Sequence, residues 1–436
     1  MSAQIDTPKY TYLKRGVYYF VVTIFTGFVW NANSSACSFN CPKQDEVIEY
    51  KGWDIPQYVK PDPNLATLRH YFQKNFKLLL DPQIGRYQID PTGNHEVFEI
   101  AEVPSKTLSE EMAESSILSY IYFDNGQLIY DEKSPPQRLG DIYRDETPYI
   151  SNSVGKSIVS YITGHAICDG YISDIDTTID DWPLVDRTLY KDQRLIDLLN
   201  MNAGDLEYVD DSSGLIGTGR WYNTHSIETF ARRELKDSKP IPLRERKHHY
   251  NGLVTNIILN YVIHKTGNQF NDLLQSVFQE KVKIQHPVYL QRNLYARNDQ
   301  GQMTNEVMPI ESGTATYGVY ATRYDYLRIA KAMLDDWKSE TCVGRYLKRL
   351  ADNKIPQKPF YETDRGDRFS HKSYAGQFHM DYMGLEQRNI FGMEGYGGQT
   401  LMIDFDEERI VSVITVHTDF DYKRLVLDLL VKGHLE

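Results

Sequence analysis

The sequence predicts an α+β fold in which an antiparallel sheet is flanked by helices and a long helical region is inserted between its first and last strands. Three observations carry this. A strand–turn–strand signal occupies residues 116–133, helical periodicity fills most of the middle, and two apolar strand-like runs return near the C-terminus before a closing helix.

The first signal is SILSYIYFDNGQLIYDEK, beginning at Ser116. Two apolar runs flank Asp124-Asn125-Gly126, and an Asn-Gly pair between such runs is a strong hairpin cue, because both residues tolerate the positive φ that a tight turn demands. After Pro148 comes SNSVGKSIVSYITGHAICDGYI, where Val154, Ile158 and Ile162 recur as a helix face should and Gly170 is a plausible stop. Residues 171–240 alternate polar loops with short helical pieces such as RLIDLLNM. Residues 252–265 form a strongly apolar helix ending at Gly267, and Thr322 with Asp325 opens another. The tail holds QTLMIDFD and RIVSVITVHTD, strands joined by a tight acidic turn, then an amphipathic helix over 420–432. Strands from the two ends of the chain are therefore expected to share one sheet.

Upstream, residues 17–30 are an apolar run preceded by Lys9, Lys14 and Arg15. The run is short for a bilayer span, which needs about 20 residues, and suits the apolar part of an export signal, with Ser34 and Ala36 as small residues before Cys37. Residues 1–36 are read as a signal peptide or membrane anchor, placing the protein in the periplasm or on a membrane. Residues 37–114 are read as an N-terminal extension containing one amphipathic helix at 65–80, and 115–436 as the main domain. Of 436 residues, 48 are Lys or Arg and 60 are Asp or Glu, a net charge of −12 that argues against nucleic-acid binding. The four cysteines, Cys37, Cys41, Cys168 and Cys342, permit three pairings that sequence cannot choose between. They lack zinc-site spacing.

Chemistry points to Ser153-Val154-Gly155-Lys156. Positions i and i+3 share a helix face, so the Lys156 amine can reach the Ser153 hydroxyl. A serine hydroxyl needs a neighbouring base, and lysine can serve if burial and nearby positive charge lower its pKa. The helix start also offers its dipole to a developing oxyanion. The bland alternative is that Ser151 or Ser153 caps the helix and Lys156 sits in solvent, and spacing alone favours it.

The surrounding order changes the balance. TPYISNSVGKSIVSYI, DGYISDIDTTIDDW, LIDLLNMNAGD, HYNGLVTNIILNYVIHKTG, GVYATRYDYLRIAKAML and GYGGQTLMIDFDEERIVSVITV follow one another as in the serine β-lactamase-related family, which this chain resembles over about 115–433. That family includes class C β-lactamases, DD-peptidases, esterases and 6-aminohexanoate-dimer hydrolases. The resemblance implies a β-lactamase/transpeptidase-like fold and an acyl-enzyme on Ser153, with Lys156 as proton acceptor or relay and Tyr250 sharing base duty and protonating the leaving group. It also implies substrate contacts at Tyr396, Gly397 and Gly398, and an oxyanion hole from the backbone N–H groups of Ser153 and Gln399. Without the resemblance, Tyr250 would be one packed tyrosine among 32 and residues 396–398 an ordinary glycine turn.

Two departures shape the expected substrate. Gly252 stands where the family often has Asn, and Tyr396 where β-lactamases and DD-peptidases often carry Lys. Tyr396 cannot give a substrate carboxylate a fixed positive charge, so a less anionic small-molecule ester, amide or peptide-like substrate fits better. The esterase and 6-aminohexanoate-dimer hydrolase branches are the reading, with a β-lactamase or D-Ala-D-Ala carboxypeptidase, or a silent cell-envelope binding protein on the same scaffold, as alternatives. No cofactor and no metal are implied.

Other patterns carry less. Ser151-Asn152-Ser153-Val154-Gly155 nearly spells a nucleophile elbow but lacks the apolar strand leading into it. His248-His249 is read as part of a basic loop with Arg244, Arg246 and Lys247. Asp205, Glu207, Asp210 and Asp211 are read as a solvated loop, and Arg232-Arg233 to Lys239 as a mixed-charge surface.

Overall fold

The hairpin forms as its turn chemistry dictates. In the computed structural model, which describes residues 46–435 apart from 58, 83, 102, 211–225, 298–302 and 358–369, Asn125 and Gly126 have φ of 46° and 94°. The apolar run at 17–30, Cys37 and Cys41 lie outside the described residues, as does Asp211. Among the described residues no helix is long and apolar enough to cross a membrane.

In chain order, α1 (Leu65–Leu80), β1 (Ile84–Ile89), β2 (Glu99–Ile100) and α2 (Lys106–Glu114) precede the hairpin of β3 (Ile117–Asp124) and β4 (Gln127–Lys133). β5 (Tyr149–Ile150) leads into α3 (Val154–Cys168), and α4 (Leu195–Leu199), α5 (Ile227–Arg232), α6 (Gly252–Thr266) and α7 (Phe270–Gln275) fill the middle. Then come β6 (Val288–Asn293), β7 (Tyr295–Arg297), β8 (Met303–Val307), β9 (Ala315–Ala321), α8 (Arg323–Lys338) and α9 (Cys342–Asp352). The chain closes with β10 (Ile355–Pro356), β11 (His371–Ala375), β12 (Phe378–Tyr382), β13 (Ile390–Glu394), β14 (Thr400–Asp404), β15 (Arg409–Thr415) and α10 (Leu429–Lys432).

The main sheet runs β10-β11-β12-β13-β14-β15-β3-β4-β2 and is antiparallel except for the β2–β4 edge pair. β15 lies against β3, so the two ends of the main domain share this sheet, as the sequence order predicts. Its central strands are apolar on both faces. Leu118, Ile121 and Phe123 of β3 point into the larger core under the helices, while Ile117, Tyr120 and Tyr122 face a second core closed by Leu108 and Met112 of α2 and Leu429 and Leu430 of α10. That double burial explains why β3 reads as a continuous apolar run rather than an alternating one. The closing helical segment begins at Lys423, slightly later than expected.

A smaller sheet, β1-β6-β9-β5, positions the helix that matters most for function. β9 packs on α3 and α6 through close backbone approach. A Cβ on Gly155 would meet the Tyr317 carbonyl oxygen at 1.9 Å, so only glycine fits in the first turn of α3 against this strand. Asn256 and Asn260 of α6 accept from the backbone N–H groups of Tyr317 and Ala315 at 3.1 Å each. The caps follow the sequence: Gly267 ends α6, and Thr322 caps α8, accepting from Asp325 N. Residues 44–436 form one compact unit. The segment read as an extension contributes β1 to the small sheet and β2 to the large one, beyond the helix at 65–80.

Cys168 and Cys342 are disulfide-bonded, tying the end of α3 to the start of α9 across 174 residues of sequence. Closing a loop of that size is worth about 5 kcal/mol in the chain-entropy treatment.

One buried base on α3 makes stability depend on pH. His165 is buried edge-on against Tyr161 at 4.7 Å. Burial pushes its pKa down to about 4, with the Asp336 carboxylate opposing and Lys281 adding to the shift. The unfolded chain takes up this proton near pH 6.5 and the folded chain only near 4, so stability falls as the pH drops through that window. At about 1.4 kcal/mol per pH unit the loss reaches roughly 3 kcal/mol. Chemical denaturation at pH 7.5 and pH 4 should show the wild-type chain losing about that much relative to His165→Gln; an unchanged difference would refute the assignment.

Candidate active site

Ser153 is the N-cap of α3, yet its side chain makes no cap bond. The first-turn N–H groups of Val154, Gly155 and Lys156 instead reach back to the carbonyls of Ser151, Asn152 and Ser153. Nor does Ser151 cap the helix: its hydroxyl donates to Asn152 O at 3.1 Å and accepts from Val319 N at 3.0 Å, stitching the loop to β9. The Ser153 hydroxyl is therefore left to Lys156, whose Nζ donates to Oγ at 2.7 Å. Lys156 is only 2% exposed, so it is not a solvated surface residue.

Its amine lies 4.8 Å from the ring centroid of Tyr250 and 4.0 Å from that of Tyr317. Burial opposes the charged amine and is the largest single influence. The phenol oxygens of Tyr250 and Tyr317, as charges and as hydrogen-bond partners, together outweigh it, and the pKa ends above its ordinary value. This reverses the expectation that burial and neighbouring cations would lower it: the groups around this amine are phenols, so its charged form is favoured.

Tyr250 is placed by anchors on both sides. His249 Nδ1 lies 2.8 Å from Asp205 Oδ1, while Asp205 Oδ2 accepts from Tyr190 Oη at 2.9 Å and from Asn251 Nδ2 at 3.1 Å. Asn251 in turn caps α6 through Val254 N at 3.0 Å. Asp205 is fully buried and His249 nearly so. The reading of Asp205 as part of a solvated loop and His249 as part of a basic one is thus corrected for these two residues: buried polar groups persist here because each satisfies the other. Glu207 and Asp210 are exposed as expected. The Tyr250 ring rests against Tyr374 at 6.0 Å, edge-on, and against His379 at 5.8 Å, nearly parallel, a paired position on β11 and β12.

The glycine turn closes the other side. Gly395 N donates to Gln399 O at 2.8 Å, and Gly397 and Gly398 have φ of 81° and 101°, which L side chains rarely adopt. A Cβ on Gly395 would lie 2.6 Å from Ser151 O, so this turn abuts the loop before Ser153. Asn152, itself at φ 46°, donates to Tyr396 O at 2.6 Å. The Gln399 side chain is turned into the sheet, donating to Thr415 O at 2.5 Å and accepting from Thr415 N at 3.3 Å. Any part it plays in the cleft therefore belongs to its backbone. Tyr396 is 42% exposed, and its hydroxyl accepts from Gln57 N at 3.3 Å, which brings the segment before α1 to the rim.

The structure thus gathers Ser153, Lys156, Tyr250 and the 396–399 turn in one place. Sequence reasoning missed Tyr317, Asn152 and the Asp205 hub. Tyr317 carried no signal, being one tyrosine among 32 on a strand that the sequence reading did not identify. Among the described residues no group of three or more His, Cys, Asp or Glu converges as metal ligands do.

No family model matches the sequence, and no curated protein is similar enough in sequence to match. Solved structures do match in fold. One, from Bacillus anthracis and described as a 6-aminohexanoate-dimer hydrolase, superposes with a TM-score of 0.55 at 15% identity, covering 87% of this chain and 96% of its own. Another, the octameric penicillin-binding protein homologue from Pyrococcus abyssi, has a TM-score of 0.50 at 15% identity, covering 75% of this chain and 76% of its own. The fold is accordingly the β-lactamase/transpeptidase-like one.

Proposed function

We propose that this chain, with its β-lactamase/transpeptidase-like fold, is a serine hydrolase that cleaves an ester or amide through an acyl-enzyme on Ser153. The observation that carries the reading is the buried Lys156 amine at 2.7 Å from a serine hydroxyl that no helix cap claims. Ser153 Oγ attacks the substrate carbonyl carbon, and its proton passes to the Tyr250 oxygen, which enters this step as phenolate with the Lys156 ammonium balancing its charge. Lys156 donates to Oγ, so it orients the nucleophile rather than taking its proton. The developing oxyanion is held by the backbone N–H groups of Ser153, at the α3 start, and Gln399. The bond to the leaving group breaks as Tyr250 returns the proton to it. Water, giving its proton to the same phenol oxygen, then attacks the acyl carbon; the ester to Oγ breaks, and that proton passes to Oγ, releasing the acid and regenerating Ser153.

The substrate reading follows from Tyr396. A phenol at the rim, where a lysine would hold an anion, favours a neutral ester or amide of the 6-aminohexanoate-dimer hydrolase and esterase kind over a penicillin. Export of the chain, proposed from residues 17–30, would put that substrate outside the cytoplasm, with no nucleic-acid partner.

The test is covalent. A fluorophosphonate probe should add once, at Ser153, by intact mass and peptide mapping, and Ser153→Ala should abolish both the adduct and turnover of an activated ester with an unchanged melting temperature. Turnover retained by the alanine variant would remove the proposal, and a stable penicilloyl adduct would redirect it to the penicillin-recognising branch.

A further inference from the structure

A primary ammonium carries three donors and no acceptor. Ser153 Oγ takes one of those of Lys156 at 2.7 Å, and the rings of Tyr250 and Tyr317 lie beside the same nitrogen. Of the two, the ring nearer to Nζ is not that of Tyr250 but that of Tyr317, at 4.0 Å against 4.8 Å. Tyr317 is also fixed through its backbone. Its N–H is accepted by Asn256 Oδ1 at 3.1 Å, its carbonyl lies where a Gly155 side chain would be, and Val319, two residues on, is bonded to Ser151 Oγ at 3.0 Å. Its backbone cannot withdraw from the amine without separating β9 from the first turn of α3.

We infer that Tyr317 is a positioning residue whose phenol, together with Tyr250, holds the Lys156 ammonium aimed at Ser153 Oγ throughout the reaction. This rests on the hydrolase reading above. Tyr250 faces the cleft half-buried and exchanges a proton with each cycle, so its grip on the ammonium changes. Tyr317 takes no part in that exchange and keeps a constant oxygen on the amine. The competing explanation is that its ring only fills space above the lysine stem, a task phenylalanine would do equally well.

Tyr317→Phe separates the two, since it keeps the ring and removes one oxygen. In the full chain, labelling of Ser153 by the fluorophosphonate probe should slow roughly tenfold or more, the scale of one charge-assisted hydrogen bond. The alkaline limb of the rate profile should move to lower pH by about one unit. With selectively ¹⁵N-labelled lysine, the Lys156 amine should titrate correspondingly lower in the variant. An unchanged melting temperature would show that the fold is intact. In the wild-type chain the Lys156 ammonium protons must also show a nuclear Overhauser contact to the Tyr317 ring, a requirement independent of how the variant folds. Superimposable rate profiles and lysine titrations, or absence of that contact, would overturn the inference. If the wild-type chain takes no probe and cleaves no ester, the hydrolase reading fails instead, while the lysine titration still decides whether Tyr317 governs the amine.

Discussion

Replacing Lys156 by methionine should slow acylation of Ser153 by about 10²- to 10⁴-fold, the range that a positioned proton-transfer system contributes. Methionine keeps the length of the lysine stem, with sulfur in place of Cδ, and removes the ammonium. Ser153 Oγ then loses the donor that orients it at 2.7 Å, and the phenols of Tyr250 and Tyr317 lose the charge that both now share. Stability should move far less than rate, because the substitution deletes a buried charge together with its desolvation cost. Stopped-flow burst kinetics with an activated ester, alongside a melting curve, separates the two quantities. A burst rate within threefold of the wild type would mean that the amine takes no part in activating the serine.

The second large effect is expected some distance from the chemistry. Asp205→Ala should cost about 3–5 kcal/mol, the scale for removing one partner from a buried polar cluster. The Tyr190 hydroxyl and His249 Nδ1 lose this acceptor, and the Asn251 amide loses one of its two, keeping the His249 carbonyl. Because His249 and Asn251 bracket Tyr250, catalysis should fall with stability, and Asp205→Asn, which keeps one carbonyl oxygen, should recover part of both. Urea denaturation gives the first quantity and kcat on the activated ester the second. A cost below about 0.5 kcal/mol, the size of an ordinary surface change, would contradict the buried hub.

Legibility of the site divides by distance along the chain. The Ser153–Lys156 pair could be read because it spans three residues on one helix face, and Tyr250 and the 396–399 turn only because several short patterns follow one another in a recognisable order. The sign of the Lys156 shift could not be read. It depends on which groups surround the amine, and one of them, Tyr317, reaches it only through the packing of β9 on α3. Asp205 carried the appearance of a loop carboxylate among other carboxylates, and nothing local distinguishes it from Asp210, which is exposed.

The chain's own sequence determined the Asn125-Gly126 hairpin, the extent of α3 and α6, the Thr322 cap and the Gly267 stop, since each depends on interactions within a few residues. Tertiary structure alone decided the Cys168–Cys342 pairing, the contribution of residues 84–100 to both sheets, the burial of Asp205 and His249, and the pair of phenols around Lys156. Those features join segments tens to hundreds of residues apart. Their energies come from burial and from mutual satisfaction of polar groups, neither of which exists until the distant partner arrives.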